Sequence, residues 1–232
     1  MQNQVVSLQE WVAARLELLA AEKEFTRQRD ALTRRRMAMP WIRVEKPYRF
    51  EGPQGPLSLS ELFDGRSQLI VYHFMLGPDW DEGCTSCSFW ADNVNGIPIH
   101  LAHRDVTFTA VSRAPLPKIE AYRQRLRWSF PWVSSNGTDF NFDYQVSFTP
   151  EQIAAGEAPY NYGARSSTVS EQVGISVFFR NDRDEMFHTY SCYGRGVDML
   201  NGAYHYLDLV PKGRDEGDLG FTMEWLRRHD QY

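Results

Sequence analysis

The 232 residues carry 25 lysines and arginines against 30 aspartates and glutamates, a net charge of -5, with 42% hydrophobic and 24% charged residues. This is enough apolar chain for one packed domain with extensions, and the mild acidity argues against nucleic-acid binding by broad phosphate neutralisation. The longest apolar run, Leu69 to Leu76 interrupted by His73, is far short of the ~20 residues of a membrane-spanning helix. No basic patch followed by an apolar stretch and a small-residue cleavage site opens the chain, so no signal peptide is expected. Three cysteines are too few for a disulfide framework. The expectation is a cytoplasmic, reducing setting, with no nucleic-acid and no membrane partner; there a close cysteine pair points to redox or metal chemistry. Seven tryptophans and eleven tyrosines predict an aromatic-rich core and interfaces.

Residues 7 to 36 read as a helix capped by Ser7, with Glu10 completing a capping box. Leu8, Trp11, Val12, Leu16, Leu19 and Phe25 recur at helical spacing, and Arg34-Arg35-Arg36 suits the dipole at its end. Residues 1–40 are therefore an N-terminal helical extension, broken by Pro40 and Pro47, and 41–232 one structural unit. Tyr48 to Phe50 reads as an edge strand or hairpin arm, and Ser58 to Phe63 as one helical turn. Gln68 to Met75, apolar on both faces, predicts a central strand of a covered sheet. Gly77 to Gly83 is a loop. Cys84 to about Asn95 is helical, ended or kinked by Pro98. Asp105 to Ser112 is a second strand. A helix follows from Pro117 to about Arg127, with Ile119, Tyr122 and Leu126 as its apolar stripe. Phe130 to Val133 is a third strand. This β-α-β-α-β order implies parallel pairing through crossovers. Residues 134 to 170, rich in Asn, Ser, Gly and aromatics, read as a long insertion. Gly174 to Phe179 and Glu185 to Ser191 form a hairpin turning at Asn181 to Asp184. Helical stretches are expected at Asp198 to Tyr206 and Glu224 to His229.

Cys84-Thr85-Ser86-Cys87 is a C-x-x-C that follows a buried strand and opens a helix. Unpaired N–H groups and the dipole there favour a thiolate on Cys84, whose pKa in such places falls from about 8.5 toward 3.5–7.5. Cys87, one turn on, is placed to attack a mixed disulfide on the first sulfur. Cys84 is thus the expected nucleophile and Cys87 the resolving thiol, with no bound cofactor and no metal. Two alternatives stay open: half of a zinc site, and two small apolar residues at a helix start. Zinc would need more ligands, and His188 and Cys192, four residues apart in a predicted strand, are poorly placed to supply them. Asp79, Asp81 and Glu82 precede the pair. They either face solvent or raise the Cys84 pKa.

The element order and the place of the C-x-x-C resemble the thioredoxin superfamily. Longer stretches, Val71 to Met75, Cys84 to Asp92, Val111 to Pro115, Phe187 to Ser191, and Arg195-Gly196 through Asp208, resemble the bacterial thioredoxin-like family known as domain of unknown function 899. The likeness runs over nearly the whole chain. It implies an α/β thioredoxin-like fold, a mixed central sheet flanked by helices, with the N-terminal helix and the insertion added; it implies no activity. Thioredoxins carry a cis-proline opposite the thiols, just before the terminal hairpin. Here Gly174-Ile175-Ser176 fills that stretch, where a non-proline cis bond would cost roughly 3 kcal/mol, so a trans bond is expected. The Pro and Thr upstream of a peroxiredoxin's cysteine are also missing, with only Pro78 near.

Around the thiols, Trp80, Thr85, Ser86, Arg113, Ile175 and Ser176 are the candidate substrate-binding residues. Arg113, at the carboxyl end of the second strand, lies where open α/β sheets place their ligand crevice. His73 reads as a hydrogen-bonded core histidine and Trp90 as core packing. His188, Tyr190, Arg195 and Cys192 gather near the hairpin end. The expected function is a thiol–disulfide oxidoreductase with a thiol or disulfide substrate, protein or small molecule. The alternatives are a non-enzymatic thioredoxin-like binding or redox-sensing module, and a peroxiredoxin-like thiol peroxidase. The long helix and the aromatic excess are compatible with a homodimer.

Overall fold

The computed structural model describes residues 3–232; Met1 and Gln2, at the start of the expected N-terminal extension, lie outside the described residues. The chain divides after Pro40 into two compact units.

The first unit is built on α1, Leu8–Met37. The Ser7 hydroxyl accepts the Glu10 N–H at 3.3 Å, and the Glu10 carboxylate accepts the Ser7 N–H at 2.9 Å, the reciprocal pair that the sequence pattern implies. Arg34, Arg35 and Arg36 occupy the last turn, where their charge suits the carbonyl end. None of the residues of α1 is buried.

The second unit runs through β1 (Ile42–Arg43), β2 (Arg49–Gly52), β3 (Gly55–Ser58), β4 (Gln68–His73), α2 (Thr85–Val94), α3 (Pro98–Ala102), β5 (Val106–Ser112), α4 (Leu116–Arg125) and β6 (Trp132–Ser134). It continues with α5 (Phe140–Asp143), α6 (Pro150–Ala155), β7 (Pro159–Tyr160), β8 (Arg165–Ser166), β9 (Gly174–Arg180), β10 (Met186–Tyr193) and α7 (Gly202–Leu207). One mixed sheet has the order β1-β10-β9-β4-β5-β6-β2-β3. β4, β5 and β6 are parallel, joined by crossovers through α2–α3 and α4, while β9 and β10 add antiparallel to β4. This is a thioredoxin-like fold, with the strand that precedes the thiols at the middle of the sheet.

Alternation along the strands explains the two layers. Tyr72 and Phe74 point with Phe108, Ala110 and Trp132 to the face covered by Cys87, Trp90 and Ala91 of α2 and Ile119 and Tyr122 of α4. Leu69 and Val71 point with Val111, Val133 and Phe178 to the opposite face, where Phe50, Phe63, Phe140 and Tyr144 close over them. Burying both faces is why β4 reads as an unbroken apolar run.

Three local expectations change. Pro98 starts α3, because α2 has already ended at Val94 and a first-turn position needs no N–H. The stretch from Asp198 divides into a 3-10 segment, Gly194–Leu200, and α7; the final element is a 3-10 turn, His229–Gln231, rather than a helix from Glu224. The expected insertion at 134–170 packs into the core: Phe140 and Tyr160 are fully buried, and Phe140 meets the Tyr48 and Phe50 rings edge-on at 5.0 and 4.8 Å. Its anchors are single aromatic residues, which leave no period in the sequence.

Candidate active site

The loop from Phe74 to Gly83 carries the chain from the end of β4 to the first turn of α2. The Cys84 N–H donates to the Met75 carbonyl at 3.0 Å. Lys118 of α4 donates to the Pro78 and Trp80 carbonyls at 2.8 and 2.7 Å. Gly83 is required: a Cβ there would lie 2.6 Å from Phe74 Cε1 and 2.7 Å from Tyr122 Cε1. Arg228 donates to the Gly83 carbonyl at 2.8 Å and to the Tyr122 hydroxyl at 2.7 Å, and pairs with Glu82 at 2.9 Å. Arg125 pairs with Glu82 as well. Glu82 is therefore balanced by two guanidinium groups, while Asp79 and Asp81 are exposed. The acidic loop leaves the thiol free to be acidic.

Cys84 is the N-cap of α2, and its carbonyl accepts the Ser88 N–H at 3.0 Å and the Ser88 hydroxyl at 2.9 Å. The Cys87 thiol, hydrogen-bonded to the Cys84 sulfur, pulls the Cys84 pKa down to about 6. The N–H groups of Cys87 and Ser86 and the Ser86 hydroxyl act in the same direction, against burial, which raises it. Cys87 is 2% exposed. Burial, and then the neighbouring Cys84 sulfur, push its pKa well above the ordinary thiol value. The Tyr72 hydroxyl donates to the Cys87 carbonyl at 3.2 Å and also holds the Cys87 thiol. The partly exposed Cys84 sulfur is thus biased toward the thiolate and the buried Cys87 sulfur toward the thiol. The expected roles of Cys84 as nucleophile and Cys87 as resolving thiol would call for such a difference.

A cavity of about 870 Å³ opens over the pair, with Tyr72, Cys84, Ser86, Cys87 and Trp90 in its lining. The wall also includes Asn161 and Arg165 of the insertion, Arg195, Val197 and Asp198 after β10, and Tyr204, Arg214 and Glu216 further on. The Trp90 indole N–H donates to the Val197 carbonyl at 2.9 Å, which fastens the segment after β10 to the thiol helix.

The sequence-derived candidates separate. Cys84, Cys87 and Ser86 line the cavity; Thr85, Trp80, Arg113, Ile175 and Ser176 are not among its lining residues. Trp80 packs on the core beside the loop. Arg113 lies 4.4 Å over the Phe142 ring and forms an ion pair at 2.8 Å with Glu171, a carboxylate just after the insertion that is 1% exposed. Ile175 and Ser176 are buried in β9, every peptide bond among the described residues being trans. Ser176 joins a hydrogen-bonded row, His73 Nε2 to Ser176 Oγ (2.8 Å), Ser176 Oγ to Ser191 Oγ (2.8 Å), and Ser191 Oγ to His188 Nε2 (2.7 Å). Burial drives His73 down to about 3, so it is a neutral core residue. His188 lines a separate cavity of about 260 Å³ with Tyr48 and Asp143. Of the residues gathered near the hairpin end, Arg195 lines the thiol cavity. Arg165, Tyr72 and Glu216 were not foreseen. The Asn161-Tyr162-Gly163 turn was the one signal pointing to a hairpin beside Arg165.

The family described as "Bacterial protein of unknown function (DUF899)" matches residues 1–232. No curated protein matches. Solved structures similar to the chain include peroxidoxin BcpB from Mycobacterium tuberculosis, 14% identical, with 70% of this chain and 93% of that one covered and a TM-score of 0.41. A cysteine-to-serine mutant of PrxQ from Xylella fastidiosa is 13% identical, covers 72% and 95%, and has a TM-score of 0.43. A yeast mitochondrial 1-Cys peroxiredoxin is 14% identical, covers 68% and 73%, and has a TM-score of 0.40.

Proposed function

The chain belongs to the DUF899 family, and from that premise we propose that it is a thiol–disulfide oxidoreductase acting through Cys84 and Cys87. The observation that carries this reading is the opposed acidity of the two sulfurs, Cys84 lowered to about 6 and Cys87 raised by burial, at the start of α2. In the forward cycle the Cys84 thiolate attacks a substrate disulfide RS–SR. A Cys84–SR bond forms, the RS–SR bond breaks, and RS⁻ leaves. Cys87 then gives up its proton and attacks the Cys84 sulfur, closing the Cys84–Cys87 disulfide and expelling the second RS⁻. The two electrons that reduce the substrate come from the dithiol, and an external thiol reductant restores it.

The test is equilibration with glutathione redox buffers, followed by thiol trapping and peptide mass spectrometry. A reversible Cys84–Cys87 disulfide is expected, with a potential in the span of roughly -120 to -270 mV of known dithiol enzymes, and its absence in Cys84→Ser. Failure of the wild-type protein to form the disulfide would overturn the dithiol cycle. Peroxide consumption that survives Cys87→Ser and needs Cys84 alone would instead select a thiol peroxidase.

A further inference from the structure

The insertion and the segment after β10 add charge to the thiol cavity in a lopsided way. The acidic lining groups are already satisfied. Asp198 is paired with Arg214 at 3.2 Å. Glu216 accepts the Tyr204 hydroxyl and the Trp225 indole N–H, each at 2.7 Å, and the Met223 N–H at 3.0 Å. Arg214 is consumed by Asp198 and Asp208 and lies 4.0 Å over the Tyr204 ring.

Two other arginines of the lining are not consumed. Arg165 has no carboxylate within ion-pair distance among the described residues. Its guanidinium rests 4.8 Å over the Tyr160 ring, and that ring is held in place, its hydroxyl donating to the Val173 carbonyl at 2.5 Å and accepting the Gly194 N–H at 2.6 Å. Arg165, exposed at the cavity wall, is thus held against a fixed ring. Arg195 reaches Asp198 only at 3.9 Å, with its side chain 88% exposed. Both belong to the wall of the cavity that holds the two sulfurs. A pocket of about 870 Å³ is in the size range of small-ligand sites, roughly 300–1,000 Å³.

We propose that the substrate of this site is a small disulfide bearing a carboxylate close to its sulfurs, with Arg165 and Arg195 as the groups that hold the carboxylate. Their planar forks match a carboxylate in two-point contact, while Trp90 and Val197 offer apolar wall to the carbon chain between charge and sulfur. This proposal rests on the thiol-exchange reading above and narrows it to one substrate class.

The experiment compares dithiodipropionate, which is anionic, with neutral hydroxyethyl disulfide and cationic cystamine. Stopped-flow rates with the reduced protein are measured at low salt, and calorimetric binding of the same three compounds is measured with Cys84→Ser, which cannot exchange. The anionic compound should react and bind about tenfold better than the neutral one, the worth of a charge-assisted contact, and cystamine worse than both. The anionic-to-neutral ratio should collapse toward one in Arg165→Gln and fall in Arg195→Gln, with Arg195→Lys retaining part of it. Exchange with all three at equal rates, or an anionic-to-neutral ratio unaltered in both glutamine variants, would overturn the substrate class while leaving the thiol cycle standing. Charge-selective binding without exchange would sustain the ligand class and overturn the thiol cycle. Absence of both would overturn the two together.

Discussion

Replacing Cys87 by alanine removes the largest influence that lowers the Cys84 pKa, the hydrogen bond from the second thiol. The N–H groups of residues 86 and 87 and the Ser86 hydroxyl remain, so the pKa should rise only part of the way from about 6 toward the ordinary 9.0. For a rise of about one unit, the change is ~1.4 kcal/mol between the thiol and thiolate forms. The consequence for reactivity has two opposing parts. Below both pKa values the thiolate fraction falls about tenfold, but each thiolate becomes roughly threefold more nucleophilic, since nucleophilicity rises with pKa with a slope of ~0.4–0.5. Near pH 5 the variant should therefore alkylate about threefold more slowly than wild type, and above both pKa values about threefold faster. The two rate–pH profiles must cross. Iodoacetamide labelling followed at the Cys84 peptide by mass spectrometry isolates this thiol from Cys192. A variant profile displaced uniformly up or down, with its midpoint unmoved from about 6, would refute the role given to Cys87.

Further outcomes follow from the supports of the site. Gly83→Ala would force the new methyl onto the Phe74 and Tyr122 rings, so it should cost about 2 kcal/mol in urea unfolding and slow Cys84 alkylation; an unchanged midpoint and rate would show the close approach to be slack. Arg113→Met should cost about 3 kcal/mol near pH 8 by stranding the buried Glu171 carboxylate. Burial already lifts Glu171 from 4.5 to about 7, so the stability contributed by its neutral form is complete below 4.5 and is lost as pH rises through 7. Without Arg113 that pKa climbs further, and the loss measured near pH 5 should be clearly smaller than near pH 8. Equal losses at the two pH values would mean that Arg113 acts by packing on Phe142 rather than by charge.

The parts of the fold that were legible are those whose cause is local. β4 announces itself because both of its faces are buried, and α2 because Cys84 follows that strand and a glycine-bounded loop. The α1 capping box needs only Ser7 and Glu10, three residues apart. The wall of the site obeys no such rule. Arg165 joins the wall of the thiol cavity beside a Tyr160 ring that is buried and whose hydroxyl ties Val173 to Gly194, a closure made between distant segments. Arg113 was legible as a charge at the end of β5, but its partner Glu171 lies 58 residues away, in a stretch with turn chemistry and no period. The loop carboxylates posed a choice the sequence left open, and the answer came from Arg125 and Arg228, which converge on Glu82 from opposite parts of the chain.

In the proposed dithiol cycle, the same arrangement would also order the two chemical steps. While Cys84 is an anion, its charge is among the causes that hold the Cys87 proton on, so the buried thiol does not compete as a nucleophile. Once Cys84 has formed a bond to a substrate sulfur, that charge is gone and only burial continues to raise Cys87. Its ionisation becomes easier at the stage where a second attack is needed. The Tyr72 hydroxyl, which acts to lower the Cys87 pKa, remains beside the sulfur to stabilise the forming thiolate. In the proposed dithiol cycle, substrate capture at Cys84 would thus lower the barrier to its own release through the two sulfurs alone.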